Sequence, residues 1–343
     1  MKKSVRLADI AQRLNVSTVT VSNALAGQKG VSEELRDKII TTAAEMGYQT
    51  RQGPVVADKS KALNIGVIIS EKYLGDYPSF YWKVYQELCM AAKVRNCMIL
   101  YEVLKLEDER AFAMPLFIQE KRAEAVVVIG EIGTAYLKQL IRISELPVVF
   151  VDFVKKDIDV GAVISDNFYG MYHVVNHLVE NGHRDIAYVG TVLANNSITD
   201  RYFGYCKALL ENGIEVRPQW VINDRGFDGR MEIEGLVLPK QMPTAFACNS
   251  DLTASELIKL LAQNGYRVPE DLSVVGFDNY LYTGLCDVKI TTYEVNIKEM
   301  VRIALEKILM QLRYFKKDTE KLRIVPGHVV VKESVKPLKR KKL

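Results

Sequence analysis

The sequence lacks the features that mark a secreted, membrane or metal-binding protein. Its five cysteines are an odd set without a CxxC pair, which is typical of reduced cysteines and not of a disulfide framework or a zinc site. No segment approaches the ~18 uncharged apolar residues of a membrane span. The first residues, MKKSVRLADIAQRL, contain no charge-free apolar stretch, so we expect no signal peptide. These absences predict a cytoplasmic protein with no metal site, no cofactor and no membrane partner.

Motifs of the common enzyme classes are also absent from the sequence. The chain has no Walker loop, no GxGxxG and no GxSxG. Gly130 and Gly133 form only a GxxG, which is more typical of a turn. His173 and His177 are four residues apart but lack the HExxH context of a zinc site. Core carboxylates could still serve as acid and base, but the sequence favours a protein that is not an enzyme.

Positive charge is concentrated at the two ends of the chain. Of the net charge of +4, residues 1–60 contribute +3, residues 332–343 contribute +5 and the remainder contributes −4. A basic N-terminal region on a mildly acidic body indicates a polyanionic partner. The tail KPLKRKKL is also typical of a solubilising chain end without a partner. The 343 residues, 48% of them hydrophobic, suffice for about two to three globular domains.

Residues 1–47 carry helix signals on both sides of a β-branched segment. Apolar residues at the spacing i, i+3, i+4 and i+7 predict a helix over 7–14: Leu7, Ile10, Ala11 and Leu14. Ser32, followed by two glutamates, predicts the start of another helix, which Gly47 ends. Between them, NVSTVTVSNALAG (15–27) is rich in β-branched residues and on its own resembles a strand.

Two interpretations of residues 15–27 are open from the residues alone. In the first, Ser17 caps a second helix after a short turn, and the two helices form a helix-turn-helix that enters the DNA major groove. Hydroxyl side chains would then face phosphates, Val19 and the methyl group of Thr18 would meet thymine methyls, and Asn23 would bind adenine. In the second, the segment belongs to a β-hairpin or to a purely structural three-helix domain.

After residue 62 the pattern changes to short apolar runs, such as LNIGVII, EAVVVIG, LPVVFVD and LSVVGFD, separated by helix-length segments. Continuous apolar strands that alternate with helices predict parallel sheets covered by helices on both faces. The strands are too many for one modest sheet, so we expect two α/β subdomains. Residues 48–61 are polar, contain Gly53 and Pro54, and are typical of a linker.

The segment LADIAQRLNVSTVTVSNALAGQKGVSEELRDKIITTAAEMGY resembles the DNA-binding headpiece of the lactose-repressor (LacI/GalR) family of bacterial transcription regulators. Phrases such as SDNFYG, HLVENGHRDIAYVG and GYRVPEDLSVVGFDN extend the resemblance along nearly the whole chain. It implies an all-α helix-turn-helix headpiece (1–47), a hinge (48–61) and an effector-binding and dimerisation core (62–343). The core would comprise two doubly wound parallel-sheet α/β subdomains that resemble type I periplasmic binding proteins. Their expected extents are about 62–162 with 292–322, and about 163–291 with 323–335.

The resemblance also implies the DNA contacts, which we assign to Ser17, Thr18, Val19, Thr20, Ser22, Asn23 and Arg51. Family members often have Arg at the position of Asn23, where it reads guanine, so Asn23 predicts a changed operator preference. The hinge departs further, because Ala57 stands where the family has a minor-groove leucine. Gly53 weakens a hinge helix, and Pro54 is tolerated only at its first position. We therefore expect a tether, unless Val55 or Val56 replaces the leucine.

The carboxyl ends of the core strands are the expected place for an effector. The resemblance implies a sugar, which requires carboxylates, amides, an arginine and aromatic faces. The residues that supply them are Ser79, Phe80, Asp152, Phe153, Asn195, Ser197, Arg201, Phe227, Asn249 and Asp278. The aromatic members could instead be core residues, and Arg201 could form a structural ion pair. Asp251 is more typical of a helix cap.

Together these observations predict a transcriptional regulator, with repression favoured, whose affinity for double-stranded operator DNA is controlled by a small molecule. A carbohydrate is the favoured effector, and a protein corepressor is the alternative. A sugar-binding protein or an enzyme without a role on DNA is the least favoured interpretation. We expect a homodimer, because the stretch after Val335 is too short and too basic for a leucine-heptad tetramerisation helix.

Overall fold

The computed structural model describes residues 5–25, 28, 30–50, 53–54, 62–75, 79–226, 236–282, 284–314 and 320–338. Two of the expected site residues, Arg51 and Phe227, lie outside the described residues, as does the hinge segment 55–61 with Ala57. Within the described part of the chain, no helix is both long enough and apolar enough to cross a membrane.

The N-terminal region is helical, so residues 18–25 form a helix and not a strand of a β-hairpin. Its helices are Leu7–Leu14 (α1), Thr18–Leu25 (α2) and Glu33–Glu45 (α3). Asn15 ends α1 in the left-handed conformation at φ 53°, and the Ser17 hydroxyl accepts a 2.9 Å hydrogen bond from the Thr20 amide to begin α2. Val21 and Ala24 of α2 are buried against Ile10 and Ile39. This burial outweighs the strand propensity of the β-branched run.

Two short strands, and not the beginning of a helix, follow the headpiece. Gln49–Thr50 (β1) pairs antiparallel with Gly53–Pro54 (β2). Pro54 thus lies in an extended segment, where its fixed φ and missing amide hydrogen are tolerated.

The first core sheet contains six strands, all parallel, in the order β4-β3-β5-β6-β7-β13. The strands are Leu63–Ser70 (β3), Cys97–Leu104 (β4), Ala125–Ile129 (β5), Val148–Val151 (β6), Gly161–Ser165 (β7) and Leu322–Val325 (β13). We call the unit built on this sheet the N-subdomain.

The second core sheet also contains six strands, in the order β9-β8-β10-β11-β12-β14, and only β14 is antiparallel to its neighbour. The strands are Ile186–Val189 (β8), Val221–Ile222 (β9), Ala245–Cys248 (β10), Ser273–Asp278 (β11), Thr291–Glu294 (β12) and His328–Val330 (β14). We call the unit built on this sheet the C-subdomain. The expected two-sheet α/β core is confirmed.

Helices cover both faces of each sheet. They are Phe80–Val94 (α4), Leu106–Ala111 (α5), Leu116–Gln119 (α6), Thr134–Ser144 (α7), Asn167–Glu180 (α8), Asn196–Glu211 (α9), Asp251–Gln263 (α10) and Ile297–Tyr314 (α11), with short 3₁₀ turns at Glu71–Tyr73 and Pro218–Trp220. Two adjacent residues of β8 show that both faces of the second sheet are buried by helices. Tyr188 packs with Tyr205 of α9, whereas Ala187 packs with Leu257 of α10.

The chain crosses between the two subdomains three times. It leaves the first sheet after Ser165, returns after Glu294, and leaves again after Val325. The expected borders after 162, 291 and 322 each fall three residues before these crossings. The difference arises because each crossing follows the last paired residue of a strand, which hydrophobic pattern alone does not locate.

The described part of the C-terminal tail is docked on the C-subdomain. Ser334 donates from its hydroxyl to the Val274 carbonyl at 2.6 Å, and the Leu338 amide donates to the Asn181 carbonyl at 2.8 Å. Nε2 of the buried His183 lies 3.1 Å from the Lys336 carbonyl oxygen. Residues up to 338 are therefore part of the fold and not a frayed end.

The crossing of α8 and α9 depends on a helical glycine. A Cβ atom at Gly204 would lie 2.1 Å from the carbonyl oxygen of Phe168, which is backbone and cannot rotate away. The missing side chain therefore lets α9 approach α8 closely, and α9 carries Arg201 toward the cleft described below.

Gly204→Ala should destabilise the core by about 1–3 kcal/mol, because the added methyl group forces α8 and α9 apart. This loss runs against the intrinsic preference of a helix for Ala over Gly, which is about 1 kcal/mol. Urea unfolding of the full chain measures the change. The control is Gly75→Ala, since a Cβ at Gly75 meets nothing within 4 Å. Equal midpoints for the two variants would contradict the steric argument.

Candidate DNA-binding helix and effector cleft

The outward face of α2 carries the side chains expected to meet DNA. Val19 is 64% exposed, and Thr18 and Ser22 are also exposed, whereas Thr20 and Asn23 are half-buried. The hydroxyl groups of Ser17 and Thr20 lie 2.8 Å apart and share one hydrogen. The pair therefore retains one hydroxyl donor for a phosphate oxygen.

Arg36 of α3 holds the C-terminal end of α2, and the sequence did not reveal this role. Its guanidinium donates to the carbonyl oxygens of Asn23 at 3.2 Å, Ala24 at 2.8 Å and Gln28 at 2.5 Å. A cation is favourable at this end of a helix, because the last carbonyl groups lack partners within the helix. Arg36 thus fixes the backbone from which Asn23 projects.

Asp152 lies at the carboxyl end of β6, on the side of the N-subdomain that faces the C-subdomain. It has the left-handed φ of 69°, which turns the chain sharply after the strand. Its Oδ2 accepts a 2.9 Å hydrogen bond from the Tyr81 hydroxyl. Its buried Oδ1 has no hydrogen-bond partner among the described residues. Burial raises the pKa of Asp152, and the nearby Arg201 opposes that rise.

Arg201 is the charged centre of the cleft, although it is only 5% exposed. Nε donates to Oδ1 of Asn167 at 2.8 Å and Nη1 donates to the Asn249 carbonyl oxygen at 2.5 Å. Nη2 lies 3.3 Å from Oδ1 of Asp278. The guanidinium carbon is 3.8 Å from the centre of the Phe277 ring. Three of the expected effector residues, Arg201, Asn249 and Asp278, therefore lie together, and the structural ion pair considered from the sequence is present among them.

Asp278 ends β11 with the left-handed φ of 101°. Burial raises its pKa to about 7, although the Arg201 guanidinium lowers it. The carboxyl group therefore changes its charge within the physiological range of pH. It is the acidic partner of Arg201 when ionised.

A second polar network surrounds Asn249. Nδ2 of Asn249 donates to Oδ2 of Asp224 at 2.7 Å and to the Val189 carbonyl oxygen at 3.0 Å. Asp224 also accepts from the Thr191 amide at 2.9 Å and from the Thr253 hydroxyl at 2.8 Å. Sequence reasoning missed Asp224. It follows the two-residue strand β9, so the rule of carboxyl ends would have found it had so short a strand been recognised.

Several expected effector residues have other roles in the structure. Ser79 and Asn195 are N-caps, which accept from the amides of Trp82 at 3.3 Å and Ile198 at 2.8 Å. Ser197 donates to the Asp152 carbonyl oxygen at 3.3 Å and so joins the two subdomains. Effector contact by these three residues remains a prediction.

The aromatic residues also differ from expectation. Phe153 does not line the cleft: it is fully buried in the core beneath the N-subdomain sheet and stacks on Phe150, with ring centres 4.5 Å apart. The alternative of core packing therefore applies to it. Phe80 is half-buried and packs edge-on against Tyr81 at 5.6 Å. Tyr81, which carries the hydroxyl bound to Asp152, is the aromatic residue of that segment in the cleft.

Asp251 is not itself the helix cap that the sequence suggested. Ser250 caps α10 by accepting from the Thr253 amide at 3.1 Å, and Asp251 is the first helical residue. Oδ2 of Asp251 accepts from the Tyr280 amide at 3.0 Å and so anchors the loop after β11. Within the described residues, no group of three or more His, Cys, Asp or Glu side chains is arranged to hold a metal ion.

The fold and the two sites define a class: a helix-turn-helix protein whose headpiece is joined to a two-subdomain core with a polar cleft. Residues 6–51 match the model of bacterial regulatory proteins of the lacI family, and residues 175–335 match that of the periplasmic binding protein-like domain. The chain therefore combines a DNA-binding domain of the lacI-family type with a periplasmic binding protein-like domain.

The relatives cover almost the whole chain. The HTH-type transcriptional repressor PurR of Mannheimia succiniciproducens is 25% identical over 97% of this chain and 99% of its own. The HTH-type transcriptional regulator RegA of Clostridium saccharobutylicum is 27% identical over 95% of this chain and 97% of its own. Both relatives are named as transcriptional regulators and neither as an enzyme.

Solved structures of similar fold include two with bound ligands. The complex of the transcriptional regulator CelR with cellobiose has a TM-score of 0.70 at 20% identity, covering 96% of this chain and 99% of that one. The lac repressor dimer bound to operator and the anti-inducer ONPF has a TM-score of 0.64 at 22% identity, covering 97% of this chain and 100% of that one. At these identities the likeness establishes the fold.

The raised pKa of Asp278 predicts how stability depends on pH. Between about pH 4 and pH 7 the folded chain holds a proton on this carboxyl group that the unfolded chain has released. The free energy of unfolding should therefore fall as the pH rises through this window, by up to about 1.4 kcal/mol per pH unit. Asp278→Asn has no proton to release at this position and should lack this component. Urea unfolding of both proteins at pH 5, 6, 7 and 8 gives the difference, and parallel profiles would refute the assignment.

Proposed function

We propose that the chain is a cytoplasmic transcriptional repressor that binds palindromic operator DNA as a homodimer, with its operator affinity controlled by a sugar in the cleft between the subdomains. The observation that carries the proposal is the half-satisfied carboxylate of Asp152. One oxygen is held by Tyr81, and the other is buried without a hydrogen-bond partner among the described residues. The repressor PurR, the dimeric lac repressor on its operator and the CelR–cellobiose complex support the separate parts of this proposal.

The chemistry of the cleft favours a sugar over a planar aromatic ligand. A sugar presents many hydroxyl donors, and a buried acceptor such as Oδ1 of Asp152 gains a charge-assisted hydrogen bond from one of them. A planar base would gain most from parallel aromatic faces. Phe153 is packed in the core, and the rings of Tyr73 and Tyr81 are tilted by 48° against each other, so these three residues do not offer such faces.

Control of DNA affinity follows from linkage. A sugar that contacts Asp152 of the N-subdomain and Arg201 of the C-subdomain stabilises one relative orientation of the two. If that orientation differs in operator affinity from its alternative, sugar and operator influence each other by the same factor. The headpiece supplies the DNA contacts through α2.

The sugar proposal is tested by a thermal-shift screen of the full-length protein with monosaccharides and disaccharides, beside purine bases and nucleosides. We expect at least one sugar to raise the melting temperature by mass action, followed by a dissociation constant from calorimetry. Asp152→Asn should weaken that sugar at least tenfold, because a charged acceptor is replaced by an amide.

Asp271→Asn is the matched control, since Asp271 pairs with Arg267 on the exposed surface. A purine that stabilises the protein where no sugar does, or an Asp152→Asn variant with unchanged affinity, would reject the sugar proposal. A protein that binds its operator only with an added protein partner, and ignores every sugar, would instead establish the corepressor alternative.

The operator proposal is tested at Asn23. Asn23→Ala should change the preference at one base pair in each half-site by about 1–3 kcal/mol, because a bidentate contact to adenine is lost. Ser22→Ala, on the same helix face, should weaken all operator variants about equally, as expected for a phosphate contact. Fluorescence anisotropy against a set of single-base operator variants at fixed salt measures both. An unchanged ranking of variants for Asn23→Ala would refute base reading by this residue.

A further inference from the structure

The first turn of α9 is held by the opposite subdomain through three contacts. The Asn196 amide points at Oε2 of Glu131 at 3.4 Å. Nδ2 of Asn196 donates to the Val154 carbonyl oxygen at 2.8 Å, and Ser197 donates to the carbonyl oxygen of Asp152 at 3.3 Å. Glu131, Asp152 and Val154 follow strands of the N-subdomain, whereas α9 belongs to the C-subdomain. These contacts therefore bridge the cleft at its edge.

Glu131 is itself firmly placed. Its backbone carbonyl accepts from the Tyr73 hydroxyl at 2.9 Å, and its Oε1 pairs with Nζ of Lys155 at 2.5 Å. Both side chains of the ion pair are about four-fifths buried, with 20% and 17% of their surface exposed. The pair is therefore screened less by solvent than a surface pair.

The carboxylate of Glu131 faces the positive end of a long helix. The helix α9 has 16 residues, and its first amides have no partners within the helix. Asn195 caps one of them, the Ile198 amide, and Glu131 of the other subdomain approaches the Asn196 amide. A negative charge near the first turn is attracted by the helix dipole.

The same helix carries the central residue of the cleft. Arg201 follows Ser197 by four residues, about one helical turn, so both lie on the same face of α9. A movement of the first turn away from the N-subdomain would carry Arg201 with it. The bridge formed by Glu131 therefore positions Arg201 relative to Asp152, without occupying the ligand region itself.

We propose that Glu131, held by Lys155, is a positioning residue that latches the first turn of α9 and keeps the two subdomains closed around the cleft. The role in closure is independent of the ligand. Its consequence for affinity rests on the proposed function: a chain with a weakened latch spends less time closed and binds the effector more weakly.

Hydrogen exchange of the full-length protein without ligand tests the latch directly. Glu131→Gln keeps the side-chain shape but removes the charge. We expect faster exchange at both sides of the bridge, in peptides covering 152–156 and 195–200, by about two- to fivefold. Asn196→Ala, which removes the bond to Val154, should act in the same direction. Glu120→Gln is the control, because it breaks an ion pair with Arg122 inside the N-subdomain.

A charge swap separates the latch from a simple ion pair. Glu131→Lys combined with Lys155→Glu restores the attraction between the two side chains but turns a positive charge toward the positive end of α9. We expect the swapped protein to exchange at least as fast as Glu131→Gln. Exchange at the wild-type rate in the swapped protein, or faster exchange confined to 195–200 in Glu131→Gln, would overturn the proposal.

The sugar identified in the thermal-shift screen supplies a second readout. Glu131→Gln should weaken it about two- to fivefold, in proportion to the loss of the closed state, while Glu120→Gln leaves it unchanged. A screen in which no sugar binds would defeat the proposed effector but leave the exchange experiment to decide on the latch. Unchanged exchange on both sides of the bridge in Glu131→Gln would defeat the latch alone.

Discussion

The buried guanidinium of Arg201 imposes the main constraint on this core. A buried cation is tolerated only if its charge and its donors are satisfied. The structure meets this need with partners from three places in the chain: Asn167 at the start of α8, the Asn249 backbone after β10, and Asp278 at the end of β11. The Phe277 ring covers its flat face. The carboxyl ends of β10 and β11 are therefore tied to a single side chain, and a ligand that engages Arg201 acts on both.

The N-subdomain contributes a different kind of group to the cleft. Asp152 and Tyr81 supply acceptors and a hydroxyl, whereas the C-subdomain supplies the cation. The pKa of Asp152 therefore depends on how closely the two halves approach, because Arg201 of the C-subdomain lowers it against the effect of burial.

Much of the fold was predictable, because this sequence has a clear hydrophobic periodicity and clear residues that begin and end its helices. The helix 7–14, the cap at Ser17 and the alternation of apolar strands with helices all follow from local patterns. The positions of Arg201, Asn249 and Asp278 were also predictable, from the resemblance and from the rule that ligands bind at the carboxyl ends of strands.

The sequence pattern did not predict on which side of the sheet a side chain after a strand would lie. Phe153 follows Asp152 directly, yet its side chain turns into the core, because the left-handed backbone of Asp152 reverses the alternation expected of a strand. Contacts between distant segments, such as Arg36 with the end of α2 or Glu131 with α9, leave no signal in local sequence at all.

The three chain crossings between the subdomains have a mechanical consequence. Two bodies joined by one connection can tumble freely, and two bodies joined by two connections can twist about the line between them. Connections at 165–167, 294–297 and 325–328 restrict the subdomains to motions that bend all three at once. Three connections therefore favour bending of the subdomains toward and away from each other over free rotation. Each subdomain is also built from non-contiguous pieces of chain. A single cut in the gene therefore leaves neither subdomain as a complete folding unit.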